Sequence, residues 1–90
     1  MGRMKTVYKY PFNIEDNFSL SMPEGAMIIY AECQHGVPCL WAFVDTLKRT
    51  VERKFRLAGT GHPIIENIEH IGSFKMFDGD LIWHLFEVHE

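Results

Sequence analysis

Alternation of apolar and polar positions with a period of two dominates this chain, and it predicts strands almost throughout. Thr6, Tyr8, Tyr10 and Phe12 alternate with Lys5, Val7 and Lys9, as a strand with one aromatic face requires, and Pro11 puts that strand at a sheet edge or ends it. Phe18-Ser19-Leu20-Ser21-Met22 alternates again and stops at the turn residues Pro23-Glu24-Gly25. Ala26 to Ala31 and Cys39 to Val44 are different: both are apolar on both faces, so each must be covered on both sides. In a chain this short the second cover comes from a barrel closing on itself or from another subunit.

Beyond Val44 the pattern weakens. Asp45 to Arg53 is polar without an apolar stripe and reads as a loop with room for one helical turn; Lys54-Phe55-Arg56-Leu57 resumes the alternation. After Pro63, Ile64, Ile68 and Ile71 recur at i, i+4 and i+7, which predicts one short helix near 63–71, with Gly72 as its stop. Ser73 to Phe77 and Leu81 to Val88 read as strands around Asp78-Gly79-Asp80, whose two carboxylates are solvated turn formers rather than an acid–base pair. The fold expected for residues 1–90 is one mainly β (α+β) domain. It is a small antiparallel sheet or partly open barrel of about six strands, with that one short helix.

Composition narrows the function classes. Of 90 residues, 47% are hydrophobic, enough for a core, and the formal net charge of −3 with no run of basic residues argues against duplex nucleic acid as a partner. No apolar run approaches the length of a membrane span and no secretory leader pattern opens the chain, so the expected setting is cytoplasmic, without a membrane partner. Cys33 and Cys39 fit reduced thiols packing as small hydrophobes. A three-residue loop at His35-Gly36-Val37 would place them opposite one another, where a disulfide or shared metal becomes feasible.

The segment Arg56-Leu57-Ala58-Gly59-Thr60-Gly61-His62-Pro63 holds the candidate chemistry. Glycines allow close backbone approach, amides at the start of the expected helix are unpaired, and a guanidinium can grip a phosphate or carboxylate. A ligand site is therefore expected at Arg56, Gly59, Thr60, Gly61 and His62, with Trp41 or Trp83 stacking on a base and His84 beside Trp83. The same two glycines also suit a plain sharp turn, and the spacing matches neither a P-loop nor a dinucleotide fingerprint. His35, His62, His70, His84 and His89 lack metal-binding spacing, and no pattern supplies a catalytic set or a cofactor site.

Four stretches in order, Lys5 to Phe12, Gln34 to Asp45, Arg56 to Pro63 and Trp83 to Glu87, resemble a family of small uncharacterised proteins of bacteriophages and prophages. The resemblance spans nearly the whole chain and implies a phage product in the host cytoplasm, with no established activity. By analogy with other small β-rich phage proteins, the expected function is an accessory factor. As such, a homo-oligomer would bind and sequester a phosphorylated, nucleotide-type signal of host defence without catalysis. Two alternatives are a protein-interaction module that inhibits a host effector and a small nucleotide hydrolase dependent on His62 or His84.

Overall fold

The alternating segments form two antiparallel sheets that face one another across a shared core. The computed structural model describes residues 4–65, 67–77 and 79–89, which contain seven strands and no helix. Strand β1 (Lys5–Pro11), β4 (Val37–Asp45) and β3 (Met27–Gln34) make a sheet in the order β1-β4-β3. Strand β2 (Asn17–Pro23), β5 (Thr50–Gly59), β7 (Leu81–Val88) and β6 (Ile68–Met76) make the other, in the order β2-β5-β7-β6. The mainly β expectation holds; the strands split into two sheets, with no closed barrel.

Period two decides which side chains meet between the sheets. From the first come Leu40, Ala42 and Val44; from the second come Met22, Phe55, Leu57, Phe74 and Leu85, all buried. Phe12 closes one end, stacking on Phe18 at 4.6 Å and meeting Phe74 edge-on at 6.1 Å. Pro11 sits in edge strand β1, where a missing amide costs no ladder bond.

The helix expected near 63–71 is absent: residues 61–67 carry no helix among those described, and β6 begins at Ile68. Geometry explains this. Strands β5 and β6 run parallel with β7 between them, so the link is a crossover. Gly59 pairs with Trp83 and Ile68 with Val88, five residues farther along β7, a run of about 17 Å before any sideways step. Nine helical steps advance only about 13.5 Å. An extended link is required, and the isoleucine spacing at 64, 68 and 71 is coincidental; 68 and 71 belong to β6.

Two other expectations are corrected. The polar stretch 45–53 is not all loop, since β5 starts at Thr50, with Val51 opposite Met22 and Arg53 opposite Leu20. Its alternation was masked because an inward position carries arginine. The β3–β4 hairpin turns on two residues, His35 (φ 52°) and Gly36 (φ 80°), the paired left-handed conformation that matches strand twist. Gln34 then faces Val37, Cys33 faces Pro38 and Cys39 faces Glu32, so the cysteines are not opposite one another. One residue of register sends them to opposite faces of the sheet. Cys33 packs against the core, and Cys39 lies on the other side. Of the expected Asp78-Gly79-Asp80 turn, Asp78 lies outside the described residues; Gly79 has φ 91°.

Candidate functional site

The glycine segment is a closed turn. His62 N donates to Gly59 O at 3.0 Å, Gly61 sits at φ 88°, and Gly59 N donates to His62 Nδ1 at 3.2 Å. A Cβ on Gly59 would come within 3.0 Å of the His62 ring, so glycine at 59 lets the imidazole fold back onto its own turn. Because Nδ1 accepts, the neutral ring carries its proton on Nε2. Two of the amides counted as anion donors are thus engaged inside the turn.

Arg56 faces away from that turn's cleft. It lies on the outer side of β5, where Nη2 donates to Pro63 O at 3.1 Å and Nη1 stands 3.8 Å from Asp16 Oδ2. Its guanidinium clamps the crossover onto the sheet. Trp41 is on the other sheet altogether, beside Tyr30 at 5.4 Å. Of the expected set, Gly59, Thr60, His62 and Trp83 do come together. With Asp80, Leu81 and Ile82 they line an open cleft of about 310 Å³. His62 meets Trp83 edge-on at 6.3 Å, and the indole Nε1 of Trp83 is buried without an acceptor among the described residues.

His84, next to Trp83 along the strand, points to the opposite face, as period two dictates. There it forms a polar chain that the sequence reading missed. Thr60 Oγ1 lies 3.0 Å from His84 Nε2, Ser73 Oγ lies 2.9 Å from His84 Nδ1, and His70 Nε2 lies 3.3 Å from the same hydroxyl. Ser73 is opposite His84 in the β6–β7 register, a partner that only the pairing of two strands reveals.

A second polar group lies at the far end of β7. Arg53 Nε and Nη2 reach the two oxygens of buried Glu87 at 2.5 and 2.9 Å, and Nη1 donates to Ala26 O at 2.9 Å. The hydrogen bond to Glu87 raises the Arg53 pKa further, against its burial. Glu69, Glu87 and His89 bring possible ligand atoms within 4.8 Å of one another, but Arg53 already supplies the cation there.

The outer face of the β1-β4-β3 sheet is an exposed apolar surface that no other element among the described residues covers. Val7, Phe43 and Met27 form one row across the three strands, and Lys9, Trp41 and Tyr30 form the next. Met27 is 60% exposed, Tyr30 53% and Phe43 39%. Ile29, at the irregularity between Ile28 and Tyr30, adds another exposed apolar side chain. Lys5 lies over the Phe43 ring at 5.8 Å. Lys9 donates to Gln34 across β4 at the level of Cys39, which accounts for an outward-facing cysteine only 1% exposed. On β3, the Tyr30 hydroxyl donates to Glu32, which raises the phenol pKa. The doubly apolar character of β4 signalled this face in the sequence, and the single chain leaves it uncovered.

A family described as a domain of unknown function, DUF7352, matches residues 4–90. The chain belongs to that family. No curated protein sequence and no solved structure matches it. The DUF7352 match thus covers both sheets and both surfaces, the cleft at Trp83 and the open face around Phe43. No helix among the described residues is long and apolar enough to cross a membrane.

Proposed function

We infer that this DUF7352 chain is a non-catalytic interaction domain whose working surface is the outer face of β1-β4-β3. The observation that carries this reading is the contiguous exposure of Val7, Met27, Tyr30 and Phe43 around Trp41 on one sheet face. Soluble chains seldom leave such a row of large apolar side chains in water without a partner to cover it. In the setting that the sequence resemblance implies, a phage accessory protein in a host cytoplasm, such a face occludes a protein surface rather than turning over a substrate. Oxidative footprinting tests it. Met27, Tyr30 and Trp41 are expected to be modified several-fold more slowly in extract of expressing cells than in the dilute purified protein, while exposed Phe77 keeps the same rate. Equal rates for all four would count against a covered face.

A second reading, sequestration of a phosphorylated nucleotide-type ligand, draws on the unpartnered Trp83 indole nitrogen beside the cleft and on the hydroxyl of Thr60 held by His84. Its residues are Gly59, Thr60, His62 and Trp83, with His84 acting only through the Thr60 hydroxyl; Arg56 and Trp41 take no part. At a hundredfold excess over the dissociation constant a ligand adds about 2.7 kcal/mol of stability. A panel of mono-, di- and cyclic nucleotides should then contain one that raises the melting temperature by several degrees and loses its effect in Trp83→Phe. A flat response across the panel counts against this reading.

A further inference from the structure

We propose that the occupant of the open face is a second copy of this chain, packed face to face about a two-fold axis that runs along β4. The proposal rests on the reading of this face as an interface and adds its partner and orientation. Charge selects both. Across the face, the β1 side carries Lys5 and Lys9, and the β3 side carries Glu32; Glu24, in the turn that precedes β3, is already paired with Arg49 of its own chain at 3.1 Å. The apolar row of Val7, Phe43 and Met27 lies between the two sides.

Two copies of one face can meet about an in-plane axis in two simple ways. An axis across the strands lays β1 on β1, lysine against lysine and glutamate against glutamate. An axis along the strands lays β1 of one protomer over β3 of its partner, so that each lysine side meets a glutamate side. In the second arrangement Val7 lies over the partner's Met27, the rings of Phe43 and Trp41 meet at the axis, and Lys9 comes within one residue pair of Glu32. Like charges held together in a buried interface cost far more than they return, so the strand-parallel axis is the favoured one. Two sheets so packed stand about 10 Å apart with their strands close to parallel. Such an interface is isologous: each contact occurs twice. It also gives β4 the cover on both sides that its apolar pattern demands.

The test is the association state of the purified chain, followed by sedimentation velocity and native mass spectrometry. The wild type is expected to be a concentration-dependent dimer, and Phe43→Glu and Met27→Glu are expected to be monomers with near-native circular dichroism. Met27 is 60% exposed, so its variant has no folding excuse. Lys9→Glu and Glu32→Lys should each weaken the dimer about tenfold or more, and the two together in one chain should restore it, because the new glutamate then faces the partner's new lysine. A wild type that stays monomeric at high concentration overturns the second copy while leaving open a different protein on the same face. A dimer that survives both glutamate substitutions overturns the interface reading itself. Failure of the double swap to restore association overturns the orientation.

Discussion

Replacing Phe55 by alanine is expected to destabilise this chain by about 3–5 kcal/mol, enough to leave a domain of this size partly unfolded at physiological temperature. Phe55 is 1% exposed and stands at one end of an aromatic run. Its ring stacks on Phe18 at 5.4 Å, Phe18 stacks on Phe12 at 4.6 Å, and Phe12 meets Phe74 edge-on. Removing it opens a cavity that the strands cannot close, because Phe55 is hydrogen-bonded into β5 between Phe18 on β2 and Glu87 on β7. The Phe18 ring also loses a stacking partner. For about 90 residues each kcal/mol moves the melting temperature by about 4–8 °C, so a fall of at least about 12 °C is expected. Phe55→Leu retains most of the volume and should cost less than half as much. Phe77→Ala, at a residue 67% exposed, should stay within about 0.5 kcal/mol of wild type. Thermal and urea unfolding check all three. A loss under about 1 kcal/mol for Phe55→Ala would show that the two sheets do not close over this ring.

Local pattern carried the strands and failed where a distant constraint intervened. Thr6, Tyr8 and Tyr10 do line one face of β1, and Phe18, Leu20 and Met22 one face of β2, because period two is a property of the strand itself. The isoleucines at 64, 68 and 71 misled because helical spacing says nothing about the distance a link must span. That distance exists only once β5 and β6 are known to flank β7. Arg53 hid β5 for the opposite reason: its inward position reads as solvent until Glu87, 34 residues away, arrives as its partner. His35 misled by one residue, because residues other than glycine seldom take the left-handed conformation, so its place in a two-residue turn was concealed.

The same split runs through the candidate sites. Gly59, Thr60, His62 and Trp83 were legible as neighbours because a turn and the start of β7 share one end of the sheet. Arg56 and Trp41 were not. Side-chain direction in a strand is fixed by parity, and Arg56 falls on the outer side of its own sheet, while Trp41 falls on the outer side of the other one. The apolar surplus in β4 carried more information than the glycines: no fold of a single three-stranded layer could bury both of its faces. The exposed row around Phe43 follows from that surplus.

Arg53→Met is expected to cost about 3–5 kcal/mol, the penalty for stranding a buried carboxylate. The side chains of Arg53 and Glu87 are only 20% and 10% exposed, and their two hydrogen bonds, at 2.5 and 2.9 Å, cross from β5 to β7. With the guanidinium gone, Glu87 keeps its charge in a poorly solvated place or takes up a proton to lose it; both routes cost stability. The double variant Arg53→Met/Glu87→Leu removes both charges and fills the space with apolar atoms, so most of the loss should return. Recovery stops short of wild type for an identifiable reason. Arg53 Nη1 also donates to the carbonyl of Ala26, which is 5% exposed and leads into β3, so the guanidinium ties one sheet to the other. Without that donor the carbonyl is left unsatisfied, at about 1–3 kcal/mol. Urea midpoints for the wild type, both single variants and the double variant close a thermodynamic cycle, with an expected coupling above about 2 kcal/mol. Purely additive losses would place Arg53 and Glu87 in water, independent of one another. Glu87→Gln gives a second view: it keeps the shape and one acceptor but discards the charge, and so should lie between the wild type and Arg53→Met.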